Sequence, residues 1–196
     1  LPRYQMEFSI LSDDFVPTEH AGKYAEMLNL YTWQEKAIDD LSDNVWNEYY
    51  MTIAIVNTLL PRMEKIKPKD EEDKQELDNI RSEAKALKAM CYFDLLRLYG
   101  PVYSEANLSK DGIILKHRLE LDFLPRSSVE DCVAEIEKLL SEASAAQNDD
   151  AEVFYLSTLA VKALQAEFEL YRGDYEKAVG YGIQSCDHYF LECISG

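Results

Sequence analysis

Apolar residues recur at i, i+3, i+4 and i+7 along most of this chain, and almost no run of Val, Ile or Thr alternates with polar residues. That period is the signature of amphipathic helices rather than strands. Only seven glycines and six prolines interrupt 196 residues, so helices can run long before a breaker stops them. The fold class expected is all-α. With 47% hydrophobic residues the chain can build a core, and a length of 196 suits one domain spanning residues 1–196.

Charge removes several function classes. Acidic residues outnumber basic ones 37 to 20, a net charge of −17. Nucleic-acid affinity rests on clustered Lys and Arg neutralising phosphates, so no nucleic-acid partner is expected. An anionic membrane leaflet is repelled in the same way, and no stretch approaches the roughly 18 apolar residues needed to span a bilayer. The sequence starts at Leu1 with no initiating Met and no basic-then-apolar leader, and so reads as a processed or trimmed product. Its four cysteines are too sparse for a disulfide framework. Cys91 and Cys132 fall on apolar helical positions, where free Cys packs as a small hydrophobe.

Read along the chain, residues 1–41 are the least periodic, with a short helix from Lys23 to Tyr31. From Asn44 a helix carrying Trp46, Tyr49 or Tyr50, Ile53, Val56 and Leu60 runs to Pro61, burying its Trp46 side. The charged run from Lys67 to Glu76 predicts a solvated turn. Leu77, Ile80, Ala84, Leu87, Cys91 and Leu95 then mark one face of a long helix, which Gly100-Pro101 ends with a left-handed cap. The two helices should form an antiparallel hairpin. Val102 to Leu124 is looser, and Ser127 three residues before Glu130 predicts a capping box opening a helix that reaches Ala143. Ser157 caps a helix bearing Ala160, Leu164, Phe168 and Tyr171; Gly173 ends it, and Asp174 caps another bearing Ala178 and Ile183.

Chemistry leaves little trace. No glycine-rich loop could cradle phosphate, since Gly180 and Gly182 lie in a helical pattern. His20, His117 and His188 are far apart, and Cys186, Asp187, His188 and Cys193 match no common zinc spacing. Neither a metal nor a cofactor is expected. Asp13-Asp14 and Asp39-Asp40 read as solvated or helix-capping pairs rather than glycosidase carboxylates. Trp46, Tyr49, Tyr92, Phe93 and Phe168 are assigned to the core.

The turn Gly173-Asp174-Tyr175-Glu176-Lys177-Ala178, with Ala166 on the preceding helix, resembles half of a tetratricopeptide repeat; Lys162 and Gln165 stand where its large aromatic and leucine belong. Three longer segments together resemble the SusD-like (SusD/RagB) family. Ser12-Asp13-Asp14 precedes Trp46, Tyr49, Ile53 and Asn57. Glu83 to Ala89 leads into Tyr92-Phe93, Leu95, Arg97 and Tyr99-Gly100. Arg126 to Glu130, Ile136, Leu140 and Ala143 then lead to Leu164, Ala166, Leu170-Tyr171 and Gly173 to Ala178. Departures include Lys88 for Arg, Tyr103 for Pro, Leu139 for Asp and Glu167 for Arg.

The resemblance implies stacked antiparallel helical hairpins in a tetratricopeptide-like right-handed superhelix, the N-terminal part of a longer protein. It implies a non-catalytic component of an outer-membrane uptake complex that binds a nutrient, a glycan or a peptide. The implied partner is a TonB-dependent, SusC-like barrel. Membrane attachment would come only through a lipid anchor outside this chain, placing the protein at the cell surface. A helical-repeat scaffold that binds a protein or peptide segment is the alternative. Ligand contacts in the family come from variable loops, which points to the stretch after Asp13-Asp14, with Phe15, Tyr24 and Trp33 as stacking residues.

Overall fold

A computed structural model describes residues 2–12, 15–18, 23–119, 123–144 and 156–195. Among them run seven α-helices: α1 Pro2–Leu11, α2 Ala25–Tyr31, α3 Glu35–Met63, α4 Glu71–Tyr99, α5 Val129–Ala143, α6 Thr158–Arg172 and α7 Tyr175–Ser195. No strand is present among these residues, only one isolated bridge between Asp111 and Ser128. The all-α class therefore holds. By chain contacts the protein divides into two compact units, 1–50 and 51–196.

In the first unit, α1 packs on α2 and the buried side chains include Tyr4, Leu30 and Leu41. Helix α1 lies in the stretch where the sequence offered little periodicity. Helix α3 starts at Glu35 rather than Asn44. Its buried series begins at Leu41 and continues through Val45, Tyr49, Ile53, Val56 and Met63, so the apolar stripe starts before Trp46. Trp46 is only half-buried and packs on Tyr50, with ring centroids 4.7 Å apart. Pro61 sits in the last turn of α3, two residues before the helix ends, and has no amide to donate to the carbonyl one turn back.

In the second unit, hydrogen bonds fix how the helices run. Arg81 on α4 donates to the Met63 carbonyl of α3 and Lys88 donates to Asn57, so position rises on one helix as it falls on the other. The antiparallel hairpin is present, but its turn is shorter than expected. Asp70 accepts the Asp73 amide at 2.9 Å and caps α4, drawing the charged residues from Glu71 into its first turns, where acidic side chains favour the helix N-terminus. Ser82 donates to the Ala143 carbonyl and Lys85 pairs with Glu142 at 2.8 Å, which sets α5 against α4. Ala86, Ala143 and Val161 form one buried cluster that joins α4, α5 and α6.

Helix α4 is consequently buried on most of its circumference beyond Ser82. Ala84, Ala86, Lys88, Ala89, Cys91, Tyr92, Phe93, Leu95 and Leu96 are all buried, whereas Ile80 is exposed. A single apolar face does not describe it, because α3, α5 and α6 approach from different sides. On α6 the buried positions are Val161, Gln165, Phe168 and Glu169, one step around from the expected Ala160, Leu164 and Tyr171. Ile183 on α7 is exposed.

Caps decide the remaining boundaries. Ser128, not Ser127, caps α5, accepting the Asp131 amide at 3.0 Å. The backbone of Ser127 is already committed, accepting from Gly112 and donating to Ile113. Ser157 and Asp174 cap α6 and α7 as their spacing predicts. Gly173 ends α6 at φ 80°, the left-handed cap expected there. Gly100, by contrast, is extended at φ −99° and ψ 166°, the region that Pro101 imposes on the residue before it. Glycine is required for space at that position, since a Cβ would stand 2.7 Å from the Leu96 carbonyl oxygen.

Cys91 and Cys132 are free and fully buried. Burial pushes the Cys91 thiol up to about 12 and also raises Cys132. Neither should react with iodoacetamide in the folded protein at about pH 8, and both should label in denaturant. Peptide mapping by mass spectrometry checks this, and native labelling of Cys91 would contradict the packing.

Candidate functional site

An open cleft of about 690 Å³ lies within the first unit, in the size range of small-ligand sites. Its walls come from α1, α2 and the start of α3. Glu26 and Asn29 line it from α2, Gln34 from the following turn, and Lys36, Asp40, Asp43 and Asn44 from α3, above a floor that includes Tyr4, Leu30 and Leu41. Helical geometry explains the convergence on α3: positions 36, 40, 43 and 44 lie three and four residues apart and share a face. Lys36 holds Asp40 at 2.7 Å. Carboxamides offer both a donor and an acceptor, so the walls suit a hydroxyl-rich ligand.

The turn from α2 into α3 carries an unusual backbone. The Gln34 amide donates to the Asn29 carbonyl at 2.8 Å and the Trp33 amide to the Leu30 carbonyl at 3.0 Å, the paired bonds of a Schellman ending. The left-handed residue in such an ending is commonly glycine, as Gly173 is at the end of α6. Here it is Trp33, at φ 53°. A bulky side chain in that region costs about 1–2 kcal/mol. Trp33 is nevertheless 63% exposed, so core packing does not account for its presence. Its neighbour Gln34 turns into the cleft wall.

Tyr24 stands at the other end of α2, as its N-cap residue, and is also exposed. Nine residues at the helical rise separate it from Trp33 by about 13 Å. Phe15 is exposed on the 15–18 segment. None of the three aromatics lines the cleft itself; Tyr24 and Trp33 flank the helix that does, and the structure does not bring Phe15 to it. Asp13 and Asp14 lie outside the described residues, while Asp40 is ion-paired as the helix-surface reading of Asp39-Asp40 allows. The wall residues Glu26, Asn29, Gln34, Asp43 and Asn44 were not singled out in the sequence. Their only signal is polar side chains on the inner faces of adjoining helices, which needs the helix boundaries first.

A second, shallower hollow of about 400 Å³ in the other unit is lined by residues that include His117, Asp131, Glu135 and Lys138. Behind it the backbone of Lys116 is gripped by buried groups: the Tyr92 hydroxyl accepts its amide at 2.8 Å and donates to its carbonyl at 2.7 Å. Asn57 donates to the same carbonyl at 2.7 Å while accepting from Lys88 at 2.7 Å. Burial holds the Lys88 amine below its ordinary 10.5. The family-matching residues Asn57 and Tyr92 thus anchor a loop. Arg126 does similar work, donating to the carbonyls of Tyr99 and Gly112. No group of three or more metal-ligating side chains occurs among the described residues; the side chains of Cys186, His188 and Cys193 lie outside them.

The second unit is built of antiparallel helical hairpins, and the first holds an open polar cleft. Residues 4–170 match the SusD-like family described as starch-binding and associating with the outer membrane, and the chain belongs to that family. Its members bind carbohydrate and are not catalysts. Among solved structures, a SusD superfamily protein from Bacteroides thetaiotaomicron is 26% identical at a TM-score of 0.65, over 71% of this chain and 31% of that one. A putative sugar-binding protein from Bacteroides vulgatus is 22% identical at 0.70, over 90% and 37%. A laminarin-binding SusD-like protein is 23% identical at 0.58, over 72% and 29%. The chain thus spans about a third of the length of these structures. No curated protein matches it. No helix among the described residues is long and apolar enough to cross a membrane.

Proposed function

We propose that this chain is the N-terminal part of a nutrient-binding protein of an outer-membrane uptake complex, and that it takes an oligosaccharide against α2. Trp33 and Tyr24 supply stacking faces at the two ends of that helix, and the cleft supplies hydrogen-bonding groups between them. The observation that carries the reading is Trp33, held at φ 53° with its ring in solvent, where glycine would be the cheaper residue. Strain kept at an exposed aromatic supports a binding role. In this reading a TonB-dependent, SusC-like barrel receives the cargo, and a lipid anchor outside residues 1–196 holds the protein at the cell surface. The family's association with starch and the outer membrane supports both.

Substitution at Trp33 separates function from folding. Trp33→Gly should raise stability by up to about 1 kcal/mol, because glycine adopts the left-handed region freely. It should also weaken binding of laminarin- or starch-derived oligosaccharides about three- to tenfold through loss of the stacking face, and Trp33→Phe should keep most of the affinity. Isothermal titration and thermal unfolding read the two effects. Unchanged sugar affinity in Trp33→Gly would remove Trp33 from the site. Co-purification of a β-barrel with the intact protein from native membranes tests the partner, and a soluble protein without a barrel would contradict it.

A further inference from the structure

One stretch of α3 departs from the charge pattern of the rest. In a chain that is 29% charged, no charged residue occurs between Glu48 and Arg62, although part of the helix surface there meets solvent. Ile53 and Val56 are buried, while Met51 and Ile55 are 64% and 62% exposed and Leu59 is 38% exposed. Positions 51, 55 and 59 stand four apart and form one outward stripe. Beside it, Thr58 turns its hydroxyl back to the Ala54 carbonyl at 2.9 Å, so that donor is spent within the helix. A helix side meant for water carries charged and polar residues; a contiguous uncharged one marks a surface that another element covers.

The size of the stripe selects its cover. Eight residues at the helical rise span about 12 Å, and three side chains fall far short of the ~800 Å² and roughly 20–30 residues a side by which separate proteins hold together. A second copy would also bring together two chains of net charge −17 each, which repel. A segment of the same polypeptide needs no such area, because a short flexible tether raises its effective concentration to about the millimolar range. Permanent contacts are also those that most resemble a protein core and lack charge, and the chain spans about a third of the length of the structures it matches.

Resting on the reading of this chain as the N-terminal part of a longer protein, we propose that Met51, Ile55 and Leu59 form an internal docking face, covered by an apolar segment of the same polypeptide beyond residue 196.

The test uses the intact protein from its native host. Ile55→Cys keeps a small apolar side chain on the stripe, and Glu72→Cys places a thiol at an exposed, charged position of α4 as the reference. In the native state the thiol at position 55 should react with N-ethylmaleimide at least about 50-fold more slowly than the one at position 72, and the two should react alike in denaturant. Peptide mapping separates both from the native cysteines. Comparable native rates would overturn the covering. A benzophenone amino acid at position 51 then names the occupant on irradiation. Cross-linking within one polypeptide to a residue beyond 196 is expected, and capture of a second copy, of the barrel or of nothing overturns the assignment. Intact mass tests the reading beneath: a native polypeptide closing at residue 196 would remove that reading, whereas a longer one with a reactive thiol at position 55 would remove the docking face alone.

Discussion

Phe93→Ala should lower the free energy of unfolding by about 3–5 kcal/mol. Phe93 is 1% exposed. Its ring meets Phe168 edge-on at 5.4 Å and Tyr171 at 5.4 Å, and the Arg97 guanidinium lies 4.4 Å from its centroid. The cavity would open where α4 and α6 meet, so two helices lose their shared contact together. Relaxation there is resisted because Arg97 is fixed to both Asp94 and Glu167. Urea titration of both proteins measures the difference, and a loss under about 1 kcal/mol would show that the site can collapse. Phe93→Leu, which keeps most of the volume, should cost far less.

Asn57→Ala should cost about 2–4 kcal/mol by a different route. Asn57 is the acceptor for the buried Lys88 amine and a donor to the Lys116 carbonyl. Truncation leaves a charged group in the interior without that bond, and unmatched burial of charge is more costly than never having placed the charge there. Asn57→Leu combined with Lys88→Met should therefore lie closer to the parent protein than Asn57→Ala does. A double substitution no more stable than Asn57→Ala would contradict this.

The same lysine makes stability depend on pH in a defined direction. Burial lowers its folded value, with Glu135 opposing and Lys138 adding to the fall, while the unfolded chain keeps the ordinary 10.5. Between those two values the unfolded chain binds more protons than the folded one, so this residue's contribution to stability rises with pH across the window. Subtracting the Lys88→Met profile from that of the parent isolates the rise.

Periodicity alone was sufficient for the helical class, the α3–α4 hairpin and the α6–α7 turn, because capping residues and apolar spacing act locally. It missed where local and tertiary demands differ. Leu41 and Val45 extend α3 backwards, yet only the full helix shows that they belong to its stripe. Gln165 and Glu169 are buried although both are polar, which apolar spacing does not register; Glu169 is held beside Arg172, which also reaches Glu137. Spacing to Glu130 favoured Ser127 as the cap of α5, but its backbone pairs with Gly112 and Ile113 and Ser128 caps the helix instead. At the candidate site, exposed aromatics were identifiable from composition and their irregular surroundings. The cleft walls were not, since no spacing rule states that two helices and a turn will face one another.

Trp33, Tyr24 and the cleft residues Glu26, Asn29 and Gln34 stand on or beside a seven-residue helix, remote in sequence from the aromatic cluster around Phe93. Substitutions at these exposed positions remove little buried surface, whereas those on α4 remove a great deal. In the proposed function, recognition is therefore nearly decoupled from foldability. On that proposal, a scaffold built this way can drift toward a new cargo by exchanging a handful of surface side chains, with little risk of crossing its stability threshold.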